Sequence, residues 1–245
     1  MRIHRIYCKS VSGKDSTFDL DQSQSRHLSK VLRLKIDDKV EVFDGHGAVA
    51  ICKILVINRS DIVLERIGDL KVSNPVHPKI ISILPVIKKD NLHFMAQKLT
   101  EVGVSEFIFY KPQLIDQSIA KKDLDKTLIK INEVVVNACK QCGSNVVPNI
   151  NFFEELDQAI TLMQDSRYGI YAFDIDGKNI FDLNEIDVQN DIAIITGPES
   201  GFSKKEIKSL RDKGIQIRLL KNNILRAETA PIVISSLLQN HFGKI

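Results

Sequence analysis

The sequence predicts an α/β protein in which a small β-rich domain precedes a larger domain with a mainly parallel sheet. Three observations lead to this prediction. Short β-branched segments separated by turn residues fill residues 1–71. From Ile80 onward, apolar strands alternate with helical segments, as they do around a parallel sheet. The length of 245 residues is enough for two modest domains, each with its own core.

The composition is that of a globular protein without a membrane span. Hydrophobic residues make up 43% of the chain and charged residues 27%. No apolar run approaches the roughly 20 residues that cross a bilayer, and the N-terminus has no apolar segment of the kind found in signal peptides. Four cysteines, including one CxxC pair at Cys139 and Cys142, form neither a disulfide framework nor a zinc site. We therefore expect a cytoplasmic protein with reduced thiols and no metal.

The net charge of +3 falls entirely in the first domain. Residues 1–71 contain 13 Lys and Arg against 10 Asp and Glu, and the remainder of the chain is balanced. The asymmetry is a mild indication of a polyanionic partner, and a solvated surface with chance asymmetry is the alternative. Closely spaced strands predict a small barrel here, with strands at Ile3–Tyr7, Lys39–Phe43, Ala48–Ile57 and Ile62–Ile67.

One helix, Gln22–Leu34, is predicted to interrupt these strands. Arg26, Lys30 and Arg33 are spaced i, i+4 and i+7, which places them on one face of a helix. Like charges on one face repel unless an anion such as RNA phosphate meets them, and a solvated basic face explains them equally well. The residues predicted to bind RNA are Arg5, Arg26, His27, Lys30 and Arg33.

The segment Lys71–Lys79, with two prolines and no periodicity, is predicted to link the domains, with residues 72–79 as the linker itself. Residues 80–245 then form the α/β domain. Its predicted strands are Ile80–Ile87, Phe107–Tyr110, Gly169–Phe173, Ile192–Thr196 and Ile215–Leu220. Its predicted helices are Leu92–Val102, Leu124–Cys142, Phe153–Met163, Lys204–Lys213 and Ala230–Phe242.

Two segments of the second domain are candidates for a binding site. A buried strand runs into Gly197–Gly201 (GPESG), and Ser203 and Glu206 then have the spacing of a capping box. Ligands bind beyond the carboxyl ends of strands in α/β sheets, and glycines allow a close approach of the backbone. The second segment, Leu219–Thr229, places large aliphatic residues beside Arg226. It is either a pocket wall or an ordinary strand-to-helix connection.

These two segments resemble the C-terminal motifs of the RsmE family, bacterial 16S ribosomal RNA methyltransferases of the SPOUT superfamily. The matching residues are GPESGFS at 197–203 and LLKNNILRAETA at 219–230. Three further segments are similar to family motifs: HLSKVLR at 27–33, QKLTEVGV at 97–104, and NACKQ at 137–141 followed by Val147-Pro148.

The resemblance implies a PUA-like β-barrel that binds RNA, followed by a SPOUT domain with a trefoil knot. It implies methylation of N3 of one uridine in 16S rRNA of the small ribosomal subunit, with S-adenosylmethionine as cofactor. It also implies a homodimer paired through the last helix. The cofactor-binding residues would be Tyr171, Ala172, Phe173, Thr196, Gly197, Pro198, Glu199, Gly201, Leu219, Leu220, Asn223, Ile224, Leu225 and Thr229.

Methylation at N3 requires removal of the N3 proton and alignment of N3 with the methyl group. Arg226 is the candidate for stabilising the uracil anion. Glu199 and Glu228 are candidates for orientation or proton removal; alternatively both are structural, and Glu228 pairs with Arg226 and caps the last helix. Two other functions stay open at this point: ribose 2′-O methylation by another SPOUT enzyme, and a catalytically silent ribosome-assembly protein.

The chain departs from the family pattern at four positions: Gln117, Ser144, Lys221 and Asn223. The family usually has glycine in place of Lys221 and a cation near the other three. Because such cations would meet RNA or the partner subunit, these departures bear on how the substrate is held. Lys111, Lys121 and Lys122 are nearby cations that could compensate.

Overall fold

The structure, a computed structural model, describes residues 3–58, 61–74, 76–115, 123–164, 168–220 and 223–245. Gln117, Lys121, Lys122, Lys221 and Asn222, which entered the sequence predictions, lie outside these residues. The chain divides into two compact units. One consists of residues 1–75 with 139–147, and the other of residues 76–138 with 148–245.

The first unit is built on a six-stranded sheet in the order β1-β3-β4-β5-β2, with β6 paired to β4. The pairings are antiparallel except for the parallel pair β1–β3. Buried and half-buried residues alternate along β4, so that one face fills the core. The strands are β1 His4–Tyr7, β2 Thr17–Asp19, β3 Lys39–Phe43, β4 Ala48–Ile57, β5 Ile62–Arg66 and β6 Lys71–Val72.

The helix predicted at Gln22–Leu34 is shorter than expected, and that prediction is wrong in part. Helix α1 covers Gln22–Arg26 and continues as a π-helical turn, His27–Val31. Arg33 lies beyond both and has a positive φ of 54°. It therefore does not share a helical face with Arg26 and Lys30. Residues spaced i, i+4 and i+7 share a face only along an uninterrupted 3.6-residue period, which the π-helical turn breaks.

The second unit is built on a seven-stranded, all-parallel sheet in the order β11-β13-β10-β12-β7-β8-β9. Strands β7 and β12 are buried along their whole length, as expected for central strands covered on both faces. The strands are β7 Ile80–Pro85, β8 Glu106–Tyr110, β9 Asn149–Phe153, β10 Gly169–Phe173, β11 Asn179–Ile180, β12 Ile192–Thr196 and β13 Gln216–Leu219. The helices are α2 Lys89–Val102, α3 Leu124–Cys142, α4 Leu156–Gln164, α5 Lys204–Asp212 and α6 Thr229–His241. The last residues of α3, from Cys139 onward, belong to the first unit.

Strand β9 is the main element of this unit that the sequence interpretation missed. Phe153 was predicted to start a helix, but it ends β9 and pairs with Tyr110 of β8; the helix starts at Leu156. A five-residue edge strand with little apolar periodicity gives a weak signal. The two-residue strands β6 and β11 were also missed, and β6 covers Lys71–Val72, where the predicted linker starts.

Candidate functional site

Three strands of the parallel sheet end side by side at one edge. Phe173, the last residue of β10, is in register with Thr196 of β12 on one side and with Arg218 of β13 on the other. Because parallel strands end at the same edge, the segments predicted to bind a cofactor start together there. Ala172, Phe173 and Thr196 are buried.

The loop after β12 turns back on itself within five residues. The backbone N–H of Gly201 donates to the carbonyl of Pro198 at 2.9 Å, and Gly201 adopts a positive φ of 71°, which favours glycine. A Cβ atom at Gly201 would lie 3.8 Å from Oδ2 of Asp174, just after β10. The loop therefore lies close to the end of the neighbouring strand. Pro198 is buried and Glu199 is exposed.

A capping box starts the helix that follows, as predicted. Oγ of Ser203 accepts from the N–H of Glu206, and the Glu206 carboxylate accepts from the N–H of Ser203. Glu206 also accepts from the N–H of Gln113 at 3.1 Å, and the Ser200 hydroxyl donates to the carbonyl of Leu114 at 2.8 Å. The loop after β12 is thereby attached to the segment that follows β8.

The second wall, Leu219–Thr229, is attached to the segment after β10. The Leu219 carbonyl accepts from the N–H of Phe181 at 2.9 Å. At Gly177, a Cβ atom would lie only 2.6 Å from the Arg218 carbonyl carbon, so this close approach requires glycine. Leu219, Leu220, Leu225 and Thr229 are half-buried, whereas Asn223 is exposed and Ile224 is 81% exposed. The contacts to the segment after β10 thus hold the first residues of Leu219–Thr229, at the end of β13, in place.

Arg218 is a residue at this edge that the sequence interpretation missed. Its side chain is 8% exposed, pairs with Glu185 and donates to the side chain of Gln216. Its guanidinium lies 5.9 Å from the centre of the Tyr171 ring, and the Phe181 ring packs edge-on at 4.9 Å from Phe173. The available signal was an arginine inside the predicted strand Ile215–Leu220, in which the other residues apart from Gln216 are apolar.

The catalytic candidates differ in their surroundings. Arg226 is exposed, and its carbonyl accepts from the N–H groups of Thr229 and Ala230 at the start of α6. Glu228 is 8% exposed, and its Oε2 has no hydrogen-bond partner within the described part of the chain. Glu228 precedes α6 without a side-chain capping bond, and no ion pair joins it to Arg226 among the described residues. The ion pair with Arg226 and the side-chain capping bond expected for a structural Glu228 are therefore not formed among the described residues, although Glu228 occupies the N-cap position of α6.

The residues predicted to bind RNA also divide into two kinds. Arg26, His27, Lys30 and Arg33 are exposed. Arg5 is 10% exposed and pairs with Glu41 at 2.6 Å. It also donates to the carbonyls of Cys139 (2.9 Å) and Ser144 (3.3 Å) and to Asn145. Arg5 thus holds the segment after α3 within the first unit, and its role in RNA binding stays a prediction.

Lys140 adds a cation beside α1. Its Nζ donates to Oε1 of Gln24 at 2.7 Å. Partial burial lowers the pKa of Lys140, with Asp21 acting in the opposite direction. Partial burial, followed by the charges of Lys140 and His4, lowers the pKa of His27. The neutral form of the His27 ring therefore predominates at pH 7 and above.

Of the positions that depart from the family pattern, Ser144 and Asn223 lie within the described residues. The Ser144 hydroxyl donates to the Val146 carbonyl at 2.7 Å and so stabilises a local turn. Lys111, considered as a compensating cation, pairs with Glu154 at 3.6 Å. Within the described ranges, no group of three or more His, Cys, Asp or Glu is placed to bind a metal, and no helix is long and apolar enough to cross a membrane.

Comparison with known proteins places both parts of the chain in characterised families. Residues 73–239 match the RNA methyltransferase domain family, and residues 20–65 match the RNA methyltransferase PUA domain family. Similar proteins include the ribosomal RNA small subunit methyltransferases E of Buchnera aphidicola subsp. Schizaphis graminum and Aquifex aeolicus. The Buchnera protein is 29% identical in an alignment that covers 100% of this chain and 98% of the relative. The Aquifex protein is 28% identical in an alignment that covers 97% of this chain and 100% of the relative.

Two solved structures have the same fold over nearly the whole chain. The ribosomal RNA small subunit methyltransferase E of Neisseria gonorrhoeae, bound to S-adenosyl methionine, is 26% identical with a TM-score of 0.84. A putative methyltransferase of Legionella pneumophila, in complex with the cofactor SAM, is 25% identical with a TM-score of 0.87. Each comparison covers 98% of both chains. The predicted fold class, a PUA-like domain followed by an α/β methyltransferase domain, is confirmed, and the chain belongs to the RsmE family of RNA methyltransferases.

Proposed function

We propose that this protein methylates N3 of a specific uridine in 16S ribosomal RNA of the small ribosomal subunit, with S-adenosylmethionine as methyl donor. The main support for this proposal is that Phe173, Thr196 and Arg218 lie side by side at the carboxyl ends of neighbouring strands. The glycine loop and Leu219 follow from that edge. Relatives that share this fold carry the names of small-subunit rRNA methyltransferases or bind S-adenosylmethionine.

The residues at this edge fit the cofactor. The hydroxyl of Thr196 is buried and has no partner within the described chain, so a bound polar ligand would supply the missing hydrogen bond. Aromatic and aliphatic side chains beside it suit an adenine, which needs an apolar slot with few polar contacts. We propose that the whole set given above, from Tyr171 to Thr229, holds the cofactor, which supplies an electrophilic methyl group when bound.

The chain's own residues would activate the uridine. N3 of uracil is a poor nucleophile until its proton leaves, and the negative charge then spreads over two carbonyl oxygens. Arg226 is exposed and makes no ion pair within the described residues, so its guanidinium is free to stabilise this charge. Glu228 has an unpartnered buried oxygen that would accept the proton, and Glu199 is the exposed alternative.

Substrate binding and assembly complete the proposal. Arg26, His27, Lys30 and Arg33 of the PUA domain would contact rRNA, while Arg5 supports the domain from within. The side chains of Ile232, Val233 and Leu237 on α6 are half-buried or exposed, and we propose that they pair with a second copy of the chain. A protein that acts on ribosomal RNA would work in the cytoplasm.

The test combines the purified protein with a deletion strain. The protein, S-adenosylmethionine and small-subunit particles from the deletion strain should yield one 3-methyluridine, detected by mass spectrometry of RNA digests. RNA from the deletion strain should lack this nucleoside, and a plasmid copy should restore it. An unchanged 3-methyluridine content would refute the assignment. A methyl group on ribose would indicate 2′-O methylation instead, and cofactor binding without turnover would indicate a silent assembly factor.

A further inference from the structure

A cavity of about 260 Å³ lies beyond the carboxyl end of β7, between the starts of α2 and α3. Its apolar side is formed by Val86, Ile87 and Leu92, which are all buried. A cavity with an apolar floor and a few converging polar groups is the usual form of a small-ligand site.

Three lysines and the carboxylate of Asp123 surround this apolar floor. Lys89, Lys126 and Lys130 line the cavity from two different helices. Lys126 pairs with Asp123 at 3.0 Å and Lys130 with Glu133 at 2.8 Å. Both pairs are largely exposed and therefore weak, so a phosphate could compete for the two ammonium groups.

His93 lies among these cations with an unused nitrogen. Its Nε2 is buried and has no hydrogen-bond partner within the described part of the chain. Partial burial lowers the pKa of His93; Lys89 and Lys130 lower it further, and Asp90 acts in the opposite direction. A buried nitrogen without a partner costs free energy that a ligand can recover.

The cavity is connected to the proposed methylation site by two hydrogen bonds. The N–H of Val86 donates to the Tyr110 carbonyl at 2.8 Å, and the Tyr110 hydroxyl donates to the Thr196 carbonyl at 3.0 Å. Strand β7 also pairs in parallel with β12, so both sites lie at the same edge of the sheet. An RNA strand that presents a uridine at Thr196 would therefore pass close to the cavity.

We propose that this cavity binds one nucleotide of the substrate RNA next to the methylated uridine. The base lies against Val86, Ile87 and Leu92, the phosphate is bound by Lys89, Lys126 and Lys130, and His93 bonds to the base edge or sugar. The apolar floor favours a nucleotide over a free inorganic anion. This inference rests on the proposed function, since it assigns part of the same RNA substrate.

The first experiment uses uridine 5′-monophosphate and inorganic phosphate as probes, with the full chain labelled at the histidine ring carbons for NMR. The nucleotide should shift the His93 signal and raise the pKa of His93, because a phosphate adds negative charge beside it. Inorganic phosphate at the same concentration should have a much smaller effect. An unaffected His93 signal, or equal effects of both probes, would overturn the proposal.

The second experiment compares Lys89→Ala with Lys208→Ala, an exposed lysine of α5 away from the cavity. Lys89→Ala should weaken nucleotide binding about tenfold and lower the salt slope of RNA binding by about 0.7. Lys208→Ala should change neither. S-adenosylmethionine affinity, which both variants should retain, reports that the fold is intact. If the two variants bind RNA equally well, the cavity does not bind the substrate, and the proposed methylation is unaffected by that result. If the protein binds the nucleotide but has no methylation activity, only the proposed function is refuted.

Discussion

The Tyr110 hydroxyl donates a 3.0 Å hydrogen bond to the backbone carbonyl of Thr196. These residues end β8 and β12, which are not neighbours, because β7 lies between them. The bond therefore crosses the end of a strand and fixes the point at which the loop Gly197–Gly201 begins. Burial raises the pKa of Tyr110 well above its usual value, and Glu206 and Asp174 add to the shift, so the phenol remains a neutral donor.

Replacing Tyr110 with phenylalanine should loosen the start of this loop. The Thr196 carbonyl would lose its donor from Tyr110 in a buried environment, which costs about 1–3 kcal/mol in the free energy of unfolding. Urea denaturation measures this change, and calorimetry should show weaker S-adenosylmethionine binding. Tyr7→Phe in the first unit is the matched control and should leave cofactor affinity unchanged. Full cofactor affinity in Tyr110→Phe would show that the bond does not position the loop.

The cofactor edge was predictable from the sequence because its elements are local. The buried strand Ile192–Thr196 and the capping box at Ser203 each depend on a few adjacent residues. The contacts that fix this edge are not local. Tyr110 and Thr196 are 86 positions apart, and Arg218 meets Glu185 across 33 positions. No periodicity in the chain encodes such pairs.

In the first unit, too, local elements were predictable from the sequence, whereas contacts between distant residues were not. The strand Ala48–Ile57 was predicted from its residues, but the role of Arg5 depends on Ser144 and Asn145, some 140 positions later. The π-helical turn His27–Val31 was missed because its composition does not differ from that of an α-helix.

Arg226→Ala should lower kcat without changing cofactor affinity. Arg226 is exposed and its contacts at the start of α6 use the backbone carbonyl, which alanine retains. Loss of one charge that stabilises a developing anion costs about a hundredfold in rate. Single-turnover kinetics and a cofactor titration measure the two quantities separately. A parallel loss of cofactor binding would assign Arg226 to the pocket wall instead.

Glu228→Gln should lower kcat while leaving stability intact. Oε2 of Glu228 is buried without a partner in the described chain, and a neutral amide costs less to bury than an unpaired carboxylate. The free energy of unfolding should therefore not fall, whereas loss of a general base costs about a hundredfold in kcat. Glu199→Gln, at an exposed carboxylate, is the control. If Glu199→Gln alone loses activity, proton removal belongs to Glu199.

Arg5→Ala should lower the free energy of unfolding. It would remove the ion pair with Glu41 and one donor each from the carbonyls of Cys139 and Ser144, a loss of about 3 kcal/mol because the Arg5 side chain is largely buried. Lys53→Ala, which removes two more exposed pairs, with Asp37 and with Glu65, should cost less than about 1 kcal/mol. Thermal denaturation compares the two. Well below the melting temperature, the variant should bind RNA about as tightly as the unaltered protein. If the variant instead loses RNA affinity without losing stability, Arg5 contacts RNA directly.

The exposed cations of the α1 region should control the salt dependence of RNA binding. Each phosphate contact to single-stranded RNA contributes about 0.7 to the slope of log affinity against log salt. The double variant Arg26→Ala, Lys30→Ala should therefore flatten this slope by about 1.4. The double variant Lys14→Ala, Lys39→Ala removes two exposed lysines from elsewhere in the same unit and should leave the slope unchanged.

His27→Ala tests whether the charge of the His27 ring contributes to RNA binding by this surface. Because partial burial, Lys140 and His4 lower the pKa of His27, the ring is neutral at pH 7.5 and adds no charge there. His27→Ala should therefore leave the salt slope at pH 7.5 unchanged. The unaltered protein should gain RNA affinity relative to His27→Ala only as the pH falls through the lowered pKa and the ring becomes protonated. Equal pH profiles for the two proteins would show that His27 does not approach a phosphate.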